Sequence, residues 1–107
     1  MGEALIGGLL AAGWASADEL LVIEPAEGRR AELHATFPGL PVAAALESHH
    51  AADGALIAVK PQYVAAVCRE LAPRVQRVLS IAAGVPIATM EAALAKGAPD
   101  RAIPVVR

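Results

Sequence analysis

Four short stretches of this chain, residues 20–23, 55–59, 78–82 and 103–106, are almost uninterrupted runs of apolar residues. A strand with one face in water alternates polar and apolar residues. A strand covered on both faces does not, and that is the habit of a parallel sheet under helices. Between the runs the period changes to that of a helix. Ala4, Leu5, Gly8, Leu9 and Ala12 share one helical face, as do Val64, Val67, Cys68 and Leu71, and then Ile87, Met90 and Leu94. Residues 26–36 read as a further helix anchored by Leu33 and Phe37, residues 40–44 as a weak strand, and residues 45–53 as irregular or a short helix. Alternation of this kind specifies an α/β domain with a parallel sheet.

The ends of the runs are alike. Val22-Ile23-Glu24-Pro25, Ala58-Val59-Lys60-Pro61 and Ala83-Gly84-Val85-Pro86 each place proline at or near the first turn of the next helix, where its missing N–H costs nothing. In open parallel sheets the ligand crevice lies at the carboxyl ends of the strands. The spacing therefore predicts that Glu24-Pro25, residues 58–61 and residues 81–84 line one common edge. Gly13 is positioned to stop the first helix. Gly7 and Gly8 weaken it by about 1 kcal/mol each relative to alanine, which predicts close packing of that helix against the sheet. Pro104 puts the last strand at an edge or a kink.

The chain has 107 residues, enough for one core and one domain. Nine Lys and Arg against eleven Asp and Glu give a net charge of −2, so there is no basic footprint for nucleic acid. At 56% hydrophobic and 19% charged residues the chain is not disordered. One cysteine makes no internal disulfide and no Cys/His set has zinc spacing, so a reducing, cytoplasmic setting and no metal are expected. The 26 alanines, the absence of asparagine and the excess of seven Arg over two Lys read as the imprint of a GC-rich coding sequence. Trp14, Phe37 and Tyr63, the three aromatics, make no platform for stacked bases. The apolar run 4–14 follows Glu3 rather than Lys or Arg, and it is far shorter than the roughly 20 residues of a membrane helix. It reads as a buried helix, and no membrane partner is expected. His49 and His50 read as a solvated loop, His34 as helix surface and Cys68 as core.

MGEALIGGLL at the start, AVKP at residues 58–61 and SIAAGVPIATMEAAL beginning 19 residues later at Ser80, with PVVR at the end, resemble pyrroline-5-carboxylate reductase in type and order. The resemblance covers essentially the whole chain. It implies a Rossmann-like parallel sheet with helices on both faces. In that family a first strand and a GxGxMG loop open the domain. Here the chain begins at the Met of that motif, so the expectation is an incomplete NAD(P)-binding domain over residues 1–107 that lacks the first strand, with the C-terminal dimerisation and substrate domain absent. Loss of a central strand leaves two outcomes. Either residues 20–24 and 55–60 pair directly, or the sheet is split between them.

The resemblance also assigns residues. Met1 and Gly2 correspond to the end of the phosphate-binding fingerprint, with Gly2 opening a helix whose free N–H groups attract phosphate. Glu24 lies 22 residues after Gly2, near the place of the acid that reads the ribose hydroxyls. A carboxylate there repels a 2′-phosphate and favours NAD. Pro25 follows where family members carry a polar or basic residue. Arg29 and Arg30 stand nearby, either to pair with a 2′-phosphate or as a solvated helix face. Ala58, Val59, Lys60 and Pro61 correspond to the segment that cradles the ribose beside the nicotinamide. Ile81, Ala82, Ala83 and Gly84 correspond to the loop under the nicotinamide ring. No catalytic residue is assigned to this chain, and the family's asparagine near Ala44 or Ala45 has no counterpart.

The function implied is reduction of 1-pyrroline-5-carboxylate to L-proline with NADP or NAD as cofactor, in a protein whose full-length form makes homo-oligomers through the C-terminal domain. Two alternatives stand beside it: a related NADP-dependent reductase, against which SIAAGVPI argues, and a non-catalytic nucleotide-binding or interaction module.

Overall fold

Where the sequence sets Gly13, the first helix stops. In the computed structural model, which describes residues 2–106, helix α1 (Gly2–Ala11) ends in a pair of hydrogen bonds. The Trp14 amide donates to Leu9 O at 3.1 Å and the Gly13 amide to Leu10 O at 3.2 Å. Gly13 sits at φ +70°, the left-handed turn that this ending requires and that only glycine adopts freely.

The chain divides into two compact units, Met1–Glu47 and Ser48–Arg107. In the first, α1 is followed by a short 3-10 turn, strand β1 (Val22–Ile23), helix α2 (Glu27–Thr36) and strand β2 (Val42–Ala43). β1 and β2 are parallel, with Val22 opposite Val42 and Ile23 opposite Ala43. Leu33 on α2, Leu40 before β2, and Ala15 are buried. The β1 strand is shorter than its apolar run. Leu20 closes the 3-10 turn, donating its amide to Ala17 O, and Leu21 is exposed. That turn is fixed by Ser16, whose amide donates to Glu19 Oε1 at 3.0 Å and whose hydroxyl donates to the same oxygen at 2.8 Å. Two residues with strand-like side chains are thereby spent on leaving a turn. No described residue of α1 is fully buried, so the expectation of a buried helix is corrected to a half-covered one. Gly7 faces the ring of Phe37, with a β-carbon there at 3.7 Å from Cζ, while nothing lies within 4 Å of Gly8. Close packing is thus confined to Gly7, and it is against an aromatic ring at the end of α2.

The second unit carries β3 (Gly54–Ile57), α3 (Val64–Leu71), β4 (Arg77–Ser80), α4 (Ile87–Gly97) and β5 (Val105–Val106). The sheet order is β3-β4-β5, all parallel. Val64, Cys68 and Leu71 turn into the core from α3, as their spacing predicts, and Met90, Ala93 and Leu94 from α4. The inward residues of the sheet, Ile57, Val78 and Ser80, are buried as well. Burial raises the Cys68 thiol pKa, since the thiolate loses its hydration there. At Gly97 a β-carbon would overlap Arg69 O and lie 2.8 Å from Ala72 Cβ, so α3 and α4 approach through glycine and alanine. Arg101, in the loop after α4, donates from Nη2 to Ala72 O and, at 3.0 Å, to Val75 O, closing the end of α3. Pro104 precedes β5 and its carbonyl accepts the Val78 amide at 2.9 Å, which places proline at the start of an outer strand.

The other side of this sheet carries a row of apolar residues. Leu56 lies opposite Leu79, and Leu79 opposite Val106. Their exposures are 41%, 41% and 60%.

The architecture is α/β, with parallel strands flanked by helices in the Rossmann-like manner. The strands divide into a pair and a triple.

Candidate functional site

The candidate residues emerge from carboxyl ends of parallel strands. In the first unit, β1 ends as the Glu24 amide donates to Ala43 O at 2.8 Å. The chain then turns through Glu24, Pro25 and Ala26 into α2. Two side chains hold this turn. Glu24 Oε2 accepts the Ala26 amide at 3.3 Å. Arg30 Nη1 donates to the carbonyl oxygens of Glu24 at 2.8 Å and Pro25 at 2.7 Å.

Arg29 faces elsewhere. Its Nη2 lies 3.5 Å from Glu3 Oε2 and its Nη1 2.7 Å from Glu32 Oε2. The hydrogen bond that Arg29 donates to Glu32, with Glu3 beside it, raises the guanidinium pKa. The Glu3 pair sets the first turn of α1 beside the first turn of α2. Gly2, at the head of α1, and the Glu24-Pro25 turn therefore lie at one end of this unit. The first amides of a helix have no partner within it and attract anions. Met1 lies outside the described residues. Neither arginine is part of an idle solvated face, since both side chains are engaged.

In the second unit, β3 and β4 are neighbours with Ile57 opposite Ser80, so the segments that follow them leave the sheet side by side. One segment is Ala58, Val59, Lys60 and Pro61, all exposed. Pro61 begins a 3-10 turn that leads into α3, as its position predicts. The other is Ile81, Ala82, Ala83 and Gly84. The Ile81 amide donates to Ile57 O at 3.0 Å, continuing the ladder by one residue. Ala82 is buried and its amide donates to Ser80 Oγ at 3.2 Å. Gly84 takes φ +74°, and a β-carbon there would meet nothing within 4 Å.

Ser80 escapes a reading by residue type alone. It is a buried polar residue within an apolar strand, and its hydroxyl fixes the start of the 81–84 loop. The signal lies in Val-Leu-Ser-Ile-Ala, where a serine interrupts the apolar run at a position facing the core. The Arg30 grip on two carbonyls carries no signature beyond a six-residue separation on the chain.

In the second unit Ala82, Ala83 and Gly84 form a loop edge without bulky side chains, open at Gly84, and Lys60 stands exposed at the neighbouring strand end; a flat ring and an anionic group would fit there. In the first unit the half-buried Glu24 stands at the end of β1. Two surface depressions, of about 260 and 370 Å³, lie along α4 and include none of these residues. Their linings are mostly alanine and isolated charges, without convergent polar groups. Among the described residues no three His, Cys, Asp or Glu gather as a metal site, and no helix is long and apolar enough to cross a membrane.

Residues 1–84 match the family model described as NADP oxidoreductase coenzyme F420-dependent. Among curated proteins the chain is similar to a pyrroline-5-carboxylate reductase of Pseudomonas aeruginosa, 38% identical over 102 residues. That alignment covers 92% of this chain and 37% of the relative, so the chain spans little more than a third of the relative's length. No solved structure matches.

Proposed function

The chain belongs to the family of NADP oxidoreductases of the coenzyme F420-dependent type, and on that premise we propose that it is the nicotinamide-dinucleotide-binding part of a pyrroline-5-carboxylate reductase. The reaction is reduction of the carbon–nitrogen double bond of 1-pyrroline-5-carboxylate to give L-proline, with NADPH or NADH as reductant. The similarity to the Pseudomonas enzyme supports the substrate. The observation that carries the reading is the side-by-side exit of residues 58–61 and 81–84 from adjacent parallel strands.

The work of this chain's residues in that reaction is binding and orientation. A bound reduced nicotinamide supplies the hydride. Gly2 and the first turn of α1 receive the phosphates, and Lys60 offers positive charge to the same anionic cofactor. Glu24 accepts from the ribose hydroxyls of the adenosine half. Ala58, Val59 and Pro61 hold the ribose of the nicotinamide half through backbone groups. Ile81, Ala82, Ala83 and Gly84 would underlie the ring, the small side chains of Ala82 and Ala83 and the bare Gly84 leaving one of its faces free for the imine. Residues 1–107 act in this reading as an NAD(P)-binding domain. A cytoplasmic location and assembly as homo-oligomers belong to the same proposal.

The test is titration of NADPH by fluorescence with the 107-residue chain. Saturable binding that is weakened by Ala83→Leu and by Lys60→Glu is the expected result. No saturable binding by a folded chain overturns the reading.

A further inference from the structure

Two adjacent arginines stand near the acid at the end of β1, and they are committed in different ways. Arg29 spends Nη1 on Glu32 and Nη2 on Glu3, two carboxylates on two helices. Its charge is matched, and releasing it for another anion would leave both acids without their partner. Arg30 spends only Nη1, on two backbone carbonyls. Carbonyl oxygens are neutral, so the charge of Arg30 is unmatched. Its Nε and Nη2 make no hydrogen bond to any described residue.

The anchoring of Arg30 also fixes where that charge stands. Both acceptors belong to the turn that carries Glu24, so the guanidinium is held at the backbone of the residue expected to read the ribose. The Glu24 carboxylate is not paired with it. That group turns back to the Ala26 amide. One turn thus presents an acid and an independently held cation. A ribose with a free 2′-hydroxyl suits the acid. A ribose with a 2′-phosphate is repelled by the acid and attracted by the cation, which a rigid, multiply donating guanidinium serves better than an ammonium.

We infer that Arg30, and not Arg29, is the residue that decides whether the adenosine half carries a 2′-phosphate, setting NADP against NAD in opposition to Glu24. This inference rests on the nucleotide-binding reading given above. It assigns the discrimination to the fourth residue of α2, not to the position directly after the acid, which is Pro25 and has no side chain able to donate.

The experiment compares two probes that differ only in the 2′-phosphate, 5′-AMP and adenosine 2′,5′-bisphosphate, by calorimetry on the 107-residue chain. Arg30→Met is expected to weaken the bisphosphate by about 10- to 100-fold more than it weakens 5′-AMP, the scale of a lost charged hydrogen bond beyond any loosening of the turn that both probes share. Arg30→Lys restores part of the preference, because one ammonium does not grip two carbonyls and a phosphate together. Arg29→Met leaves the ratio of the two affinities unchanged, and Glu24→Gln raises it towards the bisphosphate. The ratio is insensitive to the fraction folded, so a loss of stability in Arg30→Met does not imitate the effect. If Arg30→Met weakens both probes equally, or if Arg29→Met carries the change, the inference is overturned while nucleotide binding stands. If the unaltered, folded chain binds neither probe, the nucleotide reading falls and takes the inference with it.

Discussion

Gly97 on α4 stands against the carbonyl oxygen of Arg69 on α3, with no room between them for a β-carbon. The obstruction is backbone, which does not move aside as a flexible side chain would. The two helices of the second unit therefore meet at a contact that only glycine permits.

Gly97→Ala should destabilise the chain by about 1–3 kcal/mol or more, the usual range for overpacking. Gly8→Ala, in the middle of α1 where a β-carbon meets nothing within 4 Å, should stabilise it by about 0.5–1 kcal/mol through helix propensity. Urea denaturation followed by circular dichroism measures both, and equal shifts of the same sign would contradict the packing described.

Val78 and Leu79 are neighbours on β4 with opposite surroundings, 2% and 41% exposed. Val78→Ala should cost about 2 kcal/mol from two lost methyl groups and the cavity they leave. Leu79→Thr keeps a strand-forming side chain and should stay within about 0.5 kcal/mol of the original chain. A larger loss at Leu79 than at Val78 would mean that the register of β4 is shifted by one residue.

Much of this architecture is legible in the amino-acid order alone, and the exceptions share a cause. The face of Val64, Cys68 and Leu71, the stop at Gly13 and the strands closing in Pro61 and Pro86 are local patterns, read from residues within one turn or one strand. The strand ends are less legible because an apolar side chain does not make a strand. A partner does, and Leu20, Leu21, Ala58 and Val59 have none in the ladders. Gly97 against Arg69, Arg101 on Ala72 and Val75, and Arg30 on Glu24 and Pro25 depend on where the chain returns in space. For the candidate site, strand-end position and the family resemblance together single out Glu24, Lys60 and residues 81–84. They do not pick out Ser80 or separate Arg29 from Arg30, since neighbouring arginines look alike until their partners are known.

Arg101 donates to two carbonyls at the end of α3 from a single nitrogen. Arg101→Met should destabilise the chain by about 2 kcal/mol, in the range for a hydrogen bond to a charged group with buried acceptors left behind. Hydrogen exchange should show faster exchange first in residues 72–75, and unchanged protection there would remove Arg101 from the role.

Cys68 is fully buried and its thiol pKa is raised by burial. The folded chain therefore holds its proton to higher pH than the unfolded chain. The stabilising contribution is complete below the unfolded thiol pKa and is lost progressively as pH rises through the folded one. Labelling with a thiol reagent should be negligible in native buffer and rapid in urea, and fast native labelling at neutral pH would contradict the burial of Cys68.

Leu56, Leu79 and Val106 form a wet apolar ladder across the second sheet. Surface that is hydrated in the folded chain is hydrated in the unfolded chain too, and contributes nothing to the change in heat capacity on unfolding. A domain with such a ladder has a smaller heat-capacity increment than its length alone gives, below the usual 12–15 cal/mol/K per residue. Its stability then varies less steeply with temperature on both sides of its maximum, and cooling weakens it less than it weakens a chain that hides the same three side chains.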